Sequence, residues 1–121
     1  MTRFAIVLSI LLLPGLALSA ETPCTRSEAG VFEQIICALG ARDAADRELN
    51  AVYSKLLATL PAADAAALRE AQRAWLRFVE ADARFVIERE GDGSSGQLVL
   101  LNNRERLTRE RTEDLKSWLP R

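Results

Sequence analysis

Histidine is absent from the 121-residue sequence, and its absence excludes several kinds of site. Without imidazole there is no His-based catalytic triad, no zinc site that needs a histidine ligand, and no side chain that ordinarily titrates near neutral pH. The glycine-rich segment at residues 91–96 has neither the lysine nor the spacing of a phosphate-binding loop. We therefore expect neither a metal nor a cofactor.

A strong net charge is also lacking. The formal net charge is −1, and removal of the first twenty residues takes away Arg3 and no acidic residue, which leaves −2. Nucleic-acid binding needs a strongly basic patch, so we expect no nucleic-acid partner. A hydrophobic content of 49% and a charged content of 27% are ordinary for a single soluble globular domain.

Long apolar runs are missing except near the start of the chain, where the pattern is that of a secretory signal. Its parts are Arg3, the apolar run Phe4–Leu13, the break Pro14-Gly15 and the small residues Ser19-Ala20. We predict a signal peptide at residues 1–20, cleaved after Ser19 or Ala20, and a periplasmic or secreted domain at residues 21–121. The alternative is a retained anchor, although a membrane helix needs about 20 apolar residues without such a break.

The sequence has two cysteines, Cys24 and Cys37, which we expect to pair in an oxidising compartment. Such a bond should contribute on the order of 3 kcal/mol. An unbroken helix between them would hold their Cα atoms about 18 Å apart, beyond the limit of about 7 Å for a disulfide. We therefore expect a short helical turn that breaks near Gly30 and a long helix from about Val31. Free thiols and an intermolecular bridge are the alternatives.

Apolar residues recur at helical spacing from Val31 onwards, and no strand-like alternation occurs. The first helical pattern reaches Leu60, before Pro61, with Gly40 either dividing it or tolerated within it. A second pattern opens at Pro61 and Asp64 and runs to about Glu90. A third spans about Gln97–Leu119. We predict an all-α fold: a small bundle of three to four helices with antiparallel helix hairpins, stapled near the N-terminus by one disulfide.

Polar residues fall on the apolar faces of these helices. In the first helix four residues share one face, at i, i+3, i+4 and i+7: Asp46, Leu49, Asn50 and Tyr53. The predicted inward stripe of the second helix is Leu68, Ala71, Gln72, Trp75, Phe78, Val79, Asp82, Phe85 and Val86. In the last helix Arg104 and Arg111 lie among Leu100, Leu101, Leu107, Leu115, Trp118 and Leu119.

A buried charge needs a partner, so we predict that Arg111 bonds a carboxylate or an amide of another helix. The candidates are Asp46, Asn50 and Asp82. We interpret this polar network, together with Gln72, as a device that fixes helix register. A ligand site is the alternative interpretation. Tyr53 and Trp75 are expected to belong to the core rather than to a binding platform.

Three segments give a more specific indication: ADRELNAVY at residues 45–53, LREAQRAWL at 68–76 and LTRERTEDL at 107–115. In this order they resemble the motifs of the LprI-like lysozyme-inhibitor family, small exported bacterial proteins formerly catalogued as a domain of unknown function. The resemblance extends from Cys24 to the last helix. The family typically has four cysteines, and Ala83 and Asn103 stand where the other two would be. The absence of these two cysteines implies a looser junction between the last two helices.

The resemblance implies an exported cell-envelope protein that binds lysozyme or another cell-wall hydrolase and blocks its cleft. The candidate partner-binding loop is Gly91, Asp92, Gly93, Ser94, Ser95 and Gly96. Its hydroxyls and backbone N–H groups would donate hydrogen bonds to the two carboxylates of such a cleft. The other interpretation of this loop is a flexible connection between helices.

Two further functions are alternatives. One is an envelope interaction or assembly module with an unknown partner. The other is a glycosidase that uses Asp46 and Asp82 as paired carboxylates. A catalytic acid of this kind needs a raised pKa, whereas the nearby Arg104 and Arg111 would lower the pKa of the carboxyl group. We therefore predict that the chain is not an enzyme. The sequence leaves the oligomeric state open.

Overall fold

The computed structural model describes Cys24 and residues 30–120. Within them three helices follow one another: α1 spans Val31–Thr59, α2 spans Ala62–Glu90 and α3 spans Ser94–Lys116. This part of the chain contains no strand, and the predicted all-α fold is confirmed. The predicted signal peptide at 1–20 and most of the short helical turn before Gly30 lie outside the described residues.

α1 begins at Val31, as the sequence predicts, and passes through Gly40 without interruption. A Cβ atom built at Gly40 would meet nothing within 4 Å, so the glycine lies on an open helix surface. The helix ends because Pro61 restricts the residue before it: Leu60 is extended, with φ −94° and ψ 143°. α2 then starts immediately after the proline.

Cys24 and Cys37 form the predicted disulfide, with their Cα atoms 5.4 Å apart. No free cysteine is left, so the free-thiol and intermolecular alternatives are wrong. The bond ties the chain before Gly30 to the second turn of α1. As expected from the sequence, the long helix starts only after Gly30.

The connection between α2 and α3 is shorter than predicted. Only Gly91, Asp92 and Gly93 lie outside the helices, because Ser94–Gly96 form the first turn of α3. Gly91 has φ +79°, a conformation that favours glycine. Gly96 is buried, and a Cβ atom there would lie 2.0 Å from the carbonyl oxygen of Gly91. The predicted six-residue length of this loop is therefore wrong, and α3 begins and ends three residues earlier than predicted.

Helix α3 holds the bundle together. It packs extensively against α1 and less extensively against α2, whereas α1 and α2 barely touch each other. α1 and α3 run in the same direction, since Asp46 contacts Thr108 while Glu48 contacts Lys116 further along both helices. The core cluster consists of Leu49, Leu56 and Leu115, against which Val52, Tyr53, Leu60, Leu68, Trp75 and Leu119 pack.

The buried residues of α2 recur at intervals of seven: Ala65, Gln72, Val79 and Val86. Phe78 and Phe85, predicted to point inward, are 51% and 65% exposed, and Ala71 is exposed as well. These three predictions are wrong because α2 is covered closely by α3 alone. One helix covers only part of the broad apolar face of another.

At the end of the last helical segment Trp118 is 75% exposed, so its predicted inward position is also wrong. Trp118 lies two residues after Lys116, the last residue of α3, so the regular helix no longer fixes the direction of its side chain. Over the residues that the structure describes, no helix has the length and apolarity needed to cross a membrane.

Candidate functional site

The separation of α1 from α2 leaves a groove of about 480 Å³, with α3 contributing to its lining. We call this the polar groove. Its lining residues are Asp46, Leu49, Asn50, Tyr53, Arg69, Gln72, Arg73, Trp75, Leu76 and Arg104. Nine of these ten belong to the segments 45–53 and 68–76 that carry the family resemblance. The two segments therefore face each other across one groove.

A second groove, of about 540 Å³, lies on the other side of α2. We call this the apolar groove. It is lined by Leu56, Leu60, Asp64, Ala67, Leu68, Ala71, Arg111, Leu115 and Trp118. At 100° per residue, Ala67 and Ala71 lie on the face of α2 opposite to Arg69 and Leu76. The two grooves are therefore separate surfaces.

A hydrogen bond lies between the two grooves. Nε of Arg111 donates to Oε1 of Gln72 at 3.1 Å, and Gln72 is only 9% exposed. The prediction that Arg111 bonds an amide or a carboxylate of another helix is confirmed. The three candidates named for it are wrong, because the acceptor is Gln72.

Asp46 reaches α3 at a different point. Its Oδ1 accepts a hydrogen bond from the Thr108 hydroxyl at 3.4 Å. Thr108 is fully buried, and the Thr112 hydroxyl donates to the Thr108 carbonyl at 2.8 Å. Sequence reasoning missed both threonines. The signal was available, since Leu101, Thr108 and Leu115 recur at intervals of seven on the buried face of α3.

Asn50 is exposed and makes no hydrogen bond with any residue that the structure describes. Its predicted place in a buried network is therefore wrong. Tyr53 and Trp75 are half-buried, and both pack against the core cluster. Their expected position in the core is confirmed, and both also line the polar groove.

The groove carries an excess of positive charge. Arg69, Arg73 and Arg104 line it, against one carboxylate, Asp46. Arg73 is paired with Glu70 at 2.7 Å. Hydrogen bonds from Arg73 and from Arg77 hold the pKa of Glu70 below its usual value of 4.5. Arg69 and Arg104 make no ion pair or hydrogen bond with any other described residue.

Asp82 does not line the polar groove but a neighbouring small cavity of about 110 Å³, to which Arg42 of α1 also contributes and which shares Arg104 with the polar groove. It accepts a hydrogen bond from Nδ2 of Asn103, and Oδ1 of Asn103 accepts one from Arg106 at 2.8 Å. The structure therefore places Asp46 and Asp82 in different cavities. Ala83 and Asn103 both line the small cavity, so the two positions at which the family typically has cysteines come together here.

The end of the α2–α3 hairpin is exposed from Gly91 to Ser95. No side chain caps any of the three helices, and the first turn of α3 has no acidic residue. The first turns of α1 and α2, in contrast, contain Glu33 and Asp64. The backbone N–H groups at the start of α3 are therefore left for an external acceptor.

Among the described residues, no group of three His, Cys, Asp or Glu side chains could hold a metal ion. The fold defines a small, disulfide-linked protein whose three described helices leave two grooves open to solvent. The family described as Lysozyme inhibitor LprI has a model that matches residues 24–115.

The match covers most of the chain, and the chain belongs to this family. This confirms the resemblance noted in the sequence. The family description names an inhibitor rather than an enzyme. No curated protein and no solved structure is detectably similar to the chain.

Proposed function

We propose that this chain is an exported cell-envelope protein that binds lysozyme and blocks its catalytic cleft. The observation that carries the proposal is membership of the lysozyme-inhibitor family over residues 24–115. The signal-like pattern at residues 1–20 supports export into the periplasm or the medium. The Cys24–Cys37 disulfide is also typical of an oxidising compartment.

The hairpin end at Gly91–Gly96 is the surface that we assign to the enzyme. Lysozyme acts through two carboxylates in a cleft, and an inhibitor has to fill that space and satisfy those charges. Ser94 and Ser95 present hydroxyls, and the start of α3 presents uncapped N–H groups at the positive end of the helix dipole. These are suitable donors for carboxylates.

The close approach at Gly96 supports this assignment. A Cβ atom there would collide with the Gly91 carbonyl, so the turn is held tightly against the first turn of α3. A rigid turn loses less conformational entropy on binding than a flexible loop. The three-residue turn is therefore better suited to insertion than the six-residue loop predicted from sequence.

One observation favours a second candidate function, an envelope assembly module. Phe78 and Phe85 are largely exposed on α2, and Trp118 is exposed beyond α3. Large exposed aromatic side chains are enriched at protein interfaces. This candidate differs from the first because it predicts no effect on lysozyme activity.

The two candidates are separated by mixing residues 21–121 with lysozyme and a cell-wall substrate. Inhibition predicts a dose-dependent loss of lysis, and an assembly module predicts no change. Lysis by the protein alone would contradict both and favour an enzyme. The assay should include lysozymes of more than one class, because family membership does not specify the target.

The hairpin end is tested by the double variant Ser94→Glu, Ser95→Glu. Acidic residues in the first turn are compatible with α3, since they complement the helix dipole, but they should repel the carboxylates of the cleft. We expect inhibition to weaken by about tenfold or more, the effect of about 1.4 kcal/mol. The control is Ser54→Glu on the exposed surface of α1. If inhibition survives the double variant unchanged, another surface binds the enzyme.

A further inference from the structure

We infer that the polar groove is a binding site for a small organic carboxylate that carries a ring or apolar body. This site is separate from the hairpin end, since along the helices Leu76 lies about 22 Å from Gly91 and Arg104 about 12 Å from Gly96. The inference does not depend on lysozyme binding.

Arg104 supplies the half-buried positive charge of the groove. Among the described residues three arginines are half-buried: Arg42, Arg104 and Arg111. Arg42 pairs with Asp43 and Arg111 bonds Gln72, whereas Arg104 has no partner and lines the groove. A partly desolvated guanidinium favours an anion, and it binds a carboxylate with two parallel hydrogen bonds.

Further donors surround Arg104. Arg69 lines the same groove, exposed and without a partner among the described residues. Gln72 accepts the Arg111 hydrogen bond through Oε1, so its Nε2 group remains available to donate into the groove. Two guanidinium groups and an amide N–H₂ together offer enough donors for the lone pairs of one carboxylate.

Asp46 limits the charge of the ligand. Its carboxylate lines the groove and would repel a second negative charge. A monoanionic carboxylate is therefore favoured over a phosphate dianion. The site also has an apolar part, since Tyr53, Trp75 and Leu76 supply walls on which a ring can pack. Its volume of about 480 Å³ lies within the range of small-molecule sites.

The direct test is titration followed by the emission of Trp75, in a Trp118→Phe background where Trp75 is the single tryptophan. N-acetylmuramic acid supplies a ring with a carboxylate, and acetyl-Ala-Ala supplies a peptide carboxylate. N-acetylglucosamine supplies the ring without a charge, and inorganic phosphate supplies charge without a ring. We expect at least one carboxylate to bind, and to bind more tightly than the neutral sugar and phosphate.

The variant Arg104→Gln should weaken binding of that carboxylate by about tenfold or more, the loss expected for a charge-assisted contact. Arg84→Gln is the matched control, because Arg84 is exposed on α2 and lies outside the groove. Circular dichroism checks that both variants stay helical. Lysozyme inhibition should be the same in both, which separates this site from the hairpin end.

Three outcomes would overturn the proposal. The first is no binding of either carboxylate at roughly 10 mM, which corresponds to an interaction too weak to be specific. The second is equal binding by the Arg104→Gln and Arg84→Gln variants. The third is tighter binding of phosphate than of both carboxylates, which would contradict the role given to Asp46.

Discussion

The two grooves on either side of α2 have similar volumes, about 480 and 540 Å³, and opposite chemistry. The polar groove has the guanidinium of Arg104 with no partner among the described residues. The apolar groove is lined by Leu56 and Leu115, two of the three residues of the core cluster. We therefore expect stability to depend mainly on the apolar side, and the proposed carboxylate binding to use the polar side.

The reason lies in how the helices pack. α3 covers both other helices, while α1 and α2 barely touch. At the apolar groove the gap is bordered by leucines that pack against one another. At the polar groove it is bordered by arginine, asparagine and tyrosine as well as by Leu49, Trp75 and Leu76. The Arg111–Gln72 hydrogen bond is the contact between the two environments.

The largest effect is expected from truncating Leu56, which is 2% exposed. Leu56→Ala should lower the free energy of unfolding by about 2–5 kcal/mol, since it removes buried methyl groups and leaves a cavity. Asn50→Ala, on the polar groove of the same helix, should change it by no more than about 0.5 kcal/mol. Urea denaturation measures both. Equal losses would contradict the division of roles between the grooves.

Removing the contact between the grooves should have the next largest effect. Arg111→Met leaves the buried Gln72 amide without its partner and should cost about 1–2 kcal/mol. Adding Gln72→Leu should recover part of this loss, because an apolar pair replaces the unsatisfied group. A double-mutant cycle measures the coupling. Strict additivity, or an Arg111→Met variant as stable as the parent, would show that the bond does not join α2 to α3 energetically.

The two tryptophans report on the two grooves separately. Trp118 is 75% exposed at the apolar groove, and Trp75 is half-buried at the polar groove. Trp118→Phe should change stability by about 0.5 kcal/mol or less and shift the remaining emission to shorter wavelength. Acrylamide should quench Trp118 more strongly than Trp75. The reverse order would contradict the assigned exposures.

The smallest effect is expected at a pair outside both grooves. Lys116 donates a hydrogen bond to Glu48 at 2.6 Å, which lowers the pKa of Glu48 from 4.5. The pair therefore stabilises the fold at neutral pH, and this contribution is lost as the pH falls below about 4.5 through the lowered folded-state pKa.

The pKa of Lys116 is raised above 10.5, first by its hydrogen bond to Glu113 and then by the one to Glu48. Its contribution is thus present below pH 10.5 and lost as the pH rises through the raised folded-state pKa. Thermal unfolding of Glu48→Gln and the parent should differ slightly at pH 7 and converge near pH 3. A difference that persists at low pH would mean that Glu48 acts through packing.

Much of the fold followed from local pattern. The start of α1 at Val31, its end before Pro61 and the span of α2 were predicted because proline and apolar spacing act within a few residues. The Cys24–Cys37 bond followed from the cysteine count and from the oxidising compartment that the signal-like pattern predicts. The sequence also predicted that Arg111 needs a polar partner on another helix, because that requirement belongs to the guanidinium itself.

The choice of partners could not be predicted in the same way. The acceptor of the Arg111 hydrogen bond is Gln72, because the orientation of α2 relative to α3 brings this side chain within reach. The three residues expected from sequence do not accept it: Asp46, Asn50 and Asp82. Phe78 and Phe85 were expected inside, and they are exposed because α2 has a single close neighbour. The close approach between Gly96 and the Gly91 carbonyl depends on the path of the chain through Gly91. The spacing of apolar residues does not predict that path.

The sequence by itself determined three amphipathic helices, their order, the disulfide and the family, since each depends on neighbours along the chain or on shared motifs. The tertiary structure alone decided which faces meet, and therefore that two family segments enclose a polar groove beside Arg104 while the phenylalanines of α2 face water. The physical reason is that an apolar stripe requires burial but does not specify the helix that buries it. Only the packing of α3 between its two neighbours settles that choice.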